Sequence, residues 1–218
     1  MSLKFGVLIT TASLLVASAS MAASASNGAA PGGNAGEVCA AAAAVAEAQG
    51  SAADSQVAAC TLAIRIASGG EAEVQILAQL RSGNTVVMPT EAWDRIAAAY
   101  INRGLLHLMR SEFDKAIADS NVALALDNNL PEAAINRGAA LLQAHRPADA
   151  SVDFTHAIEL APAHLERVYF DRAMAREDMG DIKGAYADYR QASQLNPQWD
   201  KPRQELTRFK VILAKPVS

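Results

Sequence analysis

The stretch NRGAALLQAHRPADASVDFTHAIELAPA, residues 136–163, decides the fold, because its skeleton occurs once before it and once after it. Gly138 has an earlier counterpart at Gly104 and a later small-residue counterpart at Ala173, at intervals of about 34 residues. The same intervals separate Ala116, Ala150 and Ala185, then Ala123, Ala157 and Ala192, and finally the turn residues Asn128, Pro162 and Pro197. A repeat of this length, with helical periodicity inside it and a turn residue at its end, is typical of stacked helical hairpins.

These positions resemble the tetratricopeptide repeat, in which W-x2-L-G-x2-Y, then A-x3-F, then P are spread over about 34 residues. The second copy supplies Gly138, Leu141, Ala150, Phe154, Ala157 and Pro162, and the third supplies Ala173, Gly180, Ala185, Tyr189, Ala192 and Pro197. The first copy departs from the pattern, with Ser120 in place of the second-helix aromatic and Asn128 in place of the proline. The resemblance spans residues 93–197 and implies an all-α fold, a right-handed solenoid of antiparallel helical hairpins.

The resemblance and the local composition together predict how the chain is divided. We expect three repeat units with a helical cap before them and a capping helix after them. The predicted segments are a signal peptide (1–25), a flexible linker (26–36), an N-terminal hairpin or degenerate repeat with an insertion (37–92), three repeats within 93–198 (about 97–130, 131–164 and 166–199), a capping helix (199–213) and a tail (214–218).

The start of the chain has the composition of a secretory signal peptide. Lys4 is followed by the apolar stretch Phe5–Val16 and then by small residues, with plausible cleavage sites at 20–22 and 23–25. This apolar stretch is shorter than the roughly 20 residues that a spanning helix needs, although an uncleaved anchor is the alternative. Together with the form of the repeat, which is similar to that of periplasmic proteins, this predicts export to the periplasm.

The charges argue against nucleic acid or an anionic membrane as the partner. The formal net charge is −4, and the basic residues are interspersed with acidic ones rather than gathered in a patch.

Two cysteines lie in two predicted helices, residues 37–49 and 54–67, that precede the repeats. An even cysteine count in an exported chain favours a disulfide between Cys39 and Cys60, with two buried thiols as the alternative.

A polar regularity accompanies the small residues. Arg103, Arg137 and Arg172 each precede an aspartate by the same interval, and these aspartates are Asp119, Asp153 and Asp188. In an antiparallel hairpin this interval can bring the two side chains together, so we expect an ion pair within each repeat. The alternative is a solvated polar edge, in which an exposed pair would contribute about 0 to 1 kcal/mol.

In the resembling family, the first helices of successive hairpins line a concave surface that receives a peptide or a partner helix. The residues expected to be exposed on that surface are Ile101, Leu105, Leu108, Ile135, Ala139, Leu142, Phe170 and Met174. They are apolar and lack the Lys and Asn set with which some members bind a terminal carboxylate, which favours a hydrophobic ligand. Alternatively, the insertion at residues 68–89, which has a predicted helix at 71–80, or another copy of the protein covers these side chains.

No arrangement typical of catalysis, of a metal site or of a cofactor site occurs in the sequence. His107 stands where the repeat usually has an aromatic and is expected to be a packing residue, whereas His145 and His164 are expected in solvated turns. The sequence therefore predicts a non-enzymatic scaffold of the bacterial periplasm that binds a protein or peptide on its concave face. A self-associating structural protein of the cell envelope, possible as a homo-oligomer, is the alternative.

Overall fold

Nine α-helices follow one another along the part of the chain that the computed structural model describes, which is residues 33–68, 78, 82 and 90–213. They are α1 (Gly33–Gln49), α2 (Asp54–Ala67), α3 (Thr90–Met109), α4 (Phe113–Leu126), α5 (Pro131–Gln143), α6 (Pro147–Glu159), α7 (Leu165–Asp178), α8 (Ile182–Leu195) and α9 (Asp200–Leu213). No strand occurs among the described residues, and the all-α prediction is confirmed.

The helix boundaries follow the local sequence signals, with one exception. α2 spans the predicted range, and Pro131 and Pro147 occupy the first turns of α5 and α6, where the missing N–H of proline costs nothing. However, α1 begins at Gly33, so residues 33–36 of the predicted linker are helical. They form a first turn, whose N–H groups need no partner within the helix. The predicted signal peptide, the rest of the linker, the predicted helix at 71–80 apart from Ala78, and the tail at 214–218 lie outside the described residues.

Each hairpin turn contains one residue in the left-handed conformation. These residues are Gly50, Ser111, His145 and Gly180, with φ of 69°, 59°, 59° and 79°. The N–H that follows donates to the carbonyl five residues earlier, for example from Arg146 to Leu141 and from Asp181 to Arg176, both at 2.8 Å. This hydrogen bond is that of a Schellman C-cap, which satisfies the last carbonyls of a helix as the chain reverses. Because the same turn recurs, successive hairpins have similar geometry.

The helices pack as a stack of four hairpins, α1–α2, α3–α4, α5–α6 and α7–α8. The second helix of each hairpin also packs against the first helix of the next, and the first helices contact one another in succession, from α1 to α3, α5 and α7. The last helix, α9, packs on α8. This arrangement is the expected solenoid of helical hairpins.

Small residues occupy the crossings inside each hairpin. The alanines of the two periodic series, Ala116, Ala150, Ala185, Ala123, Ala157 and Ala192, are all fully buried. Gly104 lies against Asp119, Ala116 and Ser120, whereas Gly138 faces the ring of Phe154. The difference arises because Ser120 leaves room at the position where Phe154 places a ring.

The N-terminal hairpin is covalently closed. A disulfide joins Cys39 of α1 to Cys60 of α2, with Cα atoms 4.5 Å apart, which confirms the predicted bridge. Both cysteines are fully buried and belong to the same apolar core as Tyr100 of α3 and Phe154 of α6. The disulfide-linked hairpin is therefore continuous with the repeats. Among the described helices, none is long and apolar enough to span a membrane.

Candidate interaction surface

The three predicted ion pairs are present, and all three have the same geometry. In each repeat the arginine Nε and Nη2 donate to the two carboxylate oxygens of the aspartate, at distances between 2.6 and 2.9 Å. The pairs are Arg103–Asp119, Arg137–Asp153 and Arg172–Asp188. The aspartates are buried, with 3–5% exposure, so these are bidentate bonds inside the stack rather than solvated edges.

The remaining guanidinium nitrogen of each arginine, Nη1, donates a hydrogen bond to the preceding hairpin. Arg103 Nη1 donates to Thr61 Oγ1 at 3.3 Å, and Arg172 Nη1 donates to Thr155 Oγ1 at 3.1 Å. In the middle repeat, Arg137 Nη1 donates to Asn121 Oδ1 at 2.8 Å. Each guanidinium therefore links both helices of its own hairpin to the second helix before it. We call this series of contacts the arginine ladder.

Five of the eight side chains predicted to be exposed on the inner face are buried, so that part of the prediction is wrong. They are Ile101 (1% exposed), Leu105 (0%), Leu108 (1%), Leu142 (8%) and Phe170 (9%). Neighbouring first helices touch directly, and Asn136 of α5 donates to the Ile101 carbonyl at 3.2 Å. Leu108 packs with Ala116 and Ala140, and Phe170 lies against Tyr189 and Trp199. These residues are core, and a charged substitution at Leu105 or Leu142 would bury an unpaired charge and destabilise the stack.

The other three predicted positions remain partly exposed. Ile135 and Ala139 lie on α5 and Met174 lies on α7, the next first helix along the stack. Each packs one side of its side chain against the core. They form an accessible apolar strip across two neighbouring first helices, which we call the α5–α7 strip.

Two carboxylates, Glu177 and Asp178, follow Met174 within about one turn at the end of α7. Glu177 accepts a hydrogen bond from Arg208 at 2.6 Å and one from the Tyr189 hydroxyl at 3.3 Å. Burial, and secondarily the neighbouring Glu177, raise the pKa of Asp178 above its usual value.

One repeat position changes its chemistry along the array. Asn136 sits there in the second repeat and Asp171 sits there in the third. The amide of Asn136 bridges α5 to α3 through the Ile101 carbonyl, whereas an ionised carboxylate has no proton to donate to a carbonyl. Burial raises the pKa of Asp171 to about 7, against the opposing charges of Arg167 and Lys201.

The surroundings of His107 are more polar than predicted for a packing residue. It is buried, as a packing residue should be, but its Nδ1 lies 2.6 Å from Glu112 Oε2 across the hairpin turn. This hydrogen bond lowers the pKa of Glu112. The pair borders a cavity of about 440 Å³ between α2 and the α3–α4 turn. At the edge of this cavity, Arg110 Nη1 forms an ion pair with Asp54 Oδ1 at 2.5 Å. Repeat spacing could not have indicated this contact, because the second repeat has Leu141 in place of the histidine.

His145 and His164 lie in turns and are exposed, as predicted. Within the described ranges, no group of three or more His, Cys, Asp or Glu residues is placed to hold a metal ion.

Comparison with known proteins supports the same architecture. Residues 166–198 match the sequence profile described as "Tetratricopeptide repeat", which covers the third repeat and its following turn. No curated protein sequence matches the chain.

Several solved structures share the fold over a little more than half of this chain. The first TPR of Spaghetti (RPAP3), bound to the HSP90 peptide SRMEEVD, is 24% identical, with a TM-score of 0.52, and the match covers 55% of this chain and 94% of that one. The Arabidopsis OM64 TPR domain is 25% identical, with a TM-score of 0.51 and coverages of 53% and 95%.

The second TPR domain of human RPAP3, in complex with the HSP70 peptide SGPTIEEVD, is 23% identical, with a TM-score of 0.51 and coverages of 56% and 98%. In the sequence of its third repeat and in the fold of its hairpins, the chain is therefore similar to tetratricopeptide-repeat proteins.

Proposed function

We propose that this protein is an exported, non-enzymatic interaction scaffold that binds an apolar segment of another protein along the α5–α7 strip. The observation that carries the proposal is the partial exposure of Ile135, Ala139 and Met174 on adjacent first helices, whereas the equivalent side chains on α3 are buried. The similar fold of two solved domains in complex with peptides supports a peptide or protein as the ligand.

The chemistry of the strip favours an apolar ligand over an acidic one. The peptides bound by those solved domains end in EEVD, which carries two glutamates and an aspartate. Here such a terminus would lie near Asp178, one turn after Met174, and the α5–α7 strip itself offers its carboxylates no basic side chain. An apolar helix or extended segment needs no basic partner and buries the strip, which is the driving force that side chains of this type can supply.

A direct binding measurement tests this choice of ligand. The purified chain would be titrated into two fluorescent peptides of equal length, one an uncharged amphipathic helix former and the other SRMEEVD. We expect binding of the first only. The variants Ala139→Glu and Met174→Glu should lose that binding with unchanged helicity, while Val152→Glu, at a well-exposed position on α6, should keep it. Equal binding of both peptides, or binding that survives both strip variants, would contradict the proposal.

Export to the periplasm is part of the same proposal. Its support is the Cys39–Cys60 disulfide, since such bridges persist in oxidising compartments and are rare in reducing ones. Alkylation of protein taken directly from cells, with and without reductant and read by mass, tests it. Two thiols labelled without reductant would place the protein in a reducing compartment.

The alternative, a self-associating structural protein, depends on a different surface. The N-terminal end of the stack is apolar and exposed, and it is independent of the α5–α7 strip.

A further inference from the structure

We propose that the outer face of the α1–α2 hairpin is the contact surface of a symmetric dimer, in which a second copy of this chain packs the same face against it. Four of the large apolar side chains that are well exposed lie on these two helices. They are Val38 (49% exposed) and Val45 (47%) on α1, and Leu62 (48%) and Ile66 (37%) on α2.

The known contacts of α2 define which of its sides faces outward. Cys60 is bonded to Cys39 of α1, and Thr61 accepts a hydrogen bond from Arg103 of α3. Since successive residues of a helix are separated by about 100°, these two contacts fix the directions of α1 and α3. The side that faces neither helix carries residues at intervals of four, three and four, and these are Ser55, Ala59, Leu62 and Ile66.

α1 carries a stripe with the same spacing. Its buried side consists of Cys39, Ala43, Ala46 and Glu47, which face α2 and α3. Beside this buried side lie Val38, Ala42, Val45 and Gln49, again at intervals of four, three and four. Such spacing is that of helices that pack side by side with a partner helix. Neither stripe contains a charged residue, and the two stripes form an apolar surface two helices wide. Glu37 and Arg65 are exposed at its margins, and Leu62 also borders the cavity beside the α3–α4 turn.

The opposite end of the stack is closed. Phe209 of α9 is fully buried against Tyr189 and Tyr186, with ring centroids 5.6 and 6.4 Å apart. The outer side of α9 carries exposed polar side chains, including Arg203 and Arg208. Terminal units of a repeat array need such a polar outer face to remain soluble on their own, and the two apolar stripes of the α1–α2 hairpin do not provide one.

The contrast between the two ends determines the symmetry. Head-to-tail stacking would remove the ion pairs of α9, such as Arg208 with Glu177, from water against an apolar surface, which is costly. Contact between two N-terminal ends buries apolar surface on both sides. Such an isologous contact uses the same patch twice and is complete with two copies, so no filament forms.

The size of the face suits a reversible dimer. α1 has 17 residues, which makes it about 25 Å long, and two packed helices are about 20 Å wide. Pairing of two such faces would bury roughly 1,000 Å² in total, near the lower limit for a specific interface. We therefore expect an equilibrium between monomer and dimer that shifts with concentration.

Sedimentation of the full chain in its oxidised form, over a wide concentration range, tests the proposal. We expect the mass to rise from one chain to two and to stop there. The double variant Val45→Glu and Leu62→Glu should weaken association on the order of a hundredfold. Val152→Glu is the matched control, because Val152 is 68% exposed on α6 and should leave association unchanged.

A second measurement keeps the test valid if the double variant folds poorly. Leu62→Cys should be linked to its own copy by a short bis-maleimide, whereas Val152→Cys should not. A chain that stays monomeric at every concentration would overturn the proposal, and this is the result expected if residues before α1 or a different protein cover the face. Association beyond two copies, or association that the double variant does not weaken, would overturn it as well.

Discussion

The guanidinium of Arg137 and the carboxylate of Asp153 are joined by two parallel hydrogen bonds, from Nε to Oδ2 at 2.8 Å and from Nη2 to Oδ1 at 2.6 Å. Asp153 is 4% exposed, so its charge is removed from water and depends on this arginine. The hydrogen bonds raise the pKa of Arg137 in turn. The pair holds α5 against α6 in a fixed register.

Breaking this pair on one side should cost more than removing it altogether. Arg137→Met leaves a buried carboxylate unpaired, and we expect a loss of about 2 to 3 kcal/mol in the free energy of unfolding, less than for a fully buried pair because Arg137 is partly exposed. Arg137→Met combined with Asp153→Leu should recover part of that loss. Urea unfolding of the two variants and the parent measures it. A double variant less stable than Arg137→Met would show that the pair is not the cause.

Two glycines at equivalent positions should respond differently to alanine. A Cβ on Gly138 would lie 2.9 Å from the Phe154 ring, so the ring must move, and we expect a loss of about 1 to 3 kcal/mol. On Gly104 the nearest atom would be 3.4 Å away, which is ordinary contact. Alanine there also favours the helix by about 1 kcal/mol, so Gly104→Ala should be neutral or stabilising. Thermal unfolding of both variants tests the contrast, and equal melting temperatures would refute it.

The hairpin turns offer a stabilising substitution. His145 has φ of 59°, a conformation that costs a side chain about 1 kcal/mol and costs glycine nothing. At the equivalent position the third repeat has Gly180, with φ of 79°. We expect His145→Gly to raise the free energy of unfolding by about 1 kcal/mol and Gly180→Ala to lower it by a similar amount. If both changes act in the same direction, the turn does not govern stability.

Stability should fall between about pH 4 and pH 7 because of Asp171. Burial raises its pKa in the folded chain to about 7, from an ordinary value of 3.8. As the pH rises through this window, the unfolded chain releases the proton while the folded chain still holds it, so unfolding becomes more favourable. Above this window the loss is complete.

Asp171→Asn should remove the effect, since an amide carries no charge and matches Asn136 of the second repeat. We expect the variant to equal the parent near pH 4 and to be more stable by roughly 2 kcal/mol at pH 8. Urea unfolding across this range decides the matter. A difference that does not change with pH would mean that Asp171 does not titrate in it.

Loss of the Cys39–Cys60 bridge should weaken the N-terminal hairpin. The two residues are 21 apart in sequence, and on the chain-entropy estimate a bridge that closes a loop of that size contributes about 3 kcal/mol. We expect Cys39→Ala with Cys60→Ala to lower the melting temperature and to expose the amides of α1 and α2 to hydrogen exchange first. Unchanged exchange in those helices would show that packing alone holds the hairpin.

The sequence was most informative where the repeat itself carried the signal. The interval from arginine to aspartate is the same in every repeat. On two antiparallel helices joined by a short turn, this interval places the two side chains opposite each other. The role of Asn121 and Thr155 could have been found in the same way, since they occupy equivalent positions of successive repeats. The role of Thr61 could not have been found in this way, because the insertion after α2 interrupts the repeat interval.

Exposure of the inner face was predicted less well. Periodicity indicates the side of a helix on which Leu105 lies, but not how closely the neighbouring helices approach. Leu105 and Ala139 are equivalent in sequence, and yet one is fully buried and the other partly exposed. Likewise, the contact of His107 with Glu112 depends on the backbone path of one turn, and the residue types that make it do not recur at the repeat interval.

Every guanidinium of the arginine ladder extends toward the hairpin before it, and this gives the array a direction. Deleting the last hairpin would leave the ladder bonds of Arg103 and Arg137 intact, whereas deleting the first would deprive Arg103 of Thr61. During evolution, hairpins could thus be gained or lost at the C-terminal end without breaking the ladder bonds of the earlier hairpins. Loss of the N-terminal hairpin would break one of them.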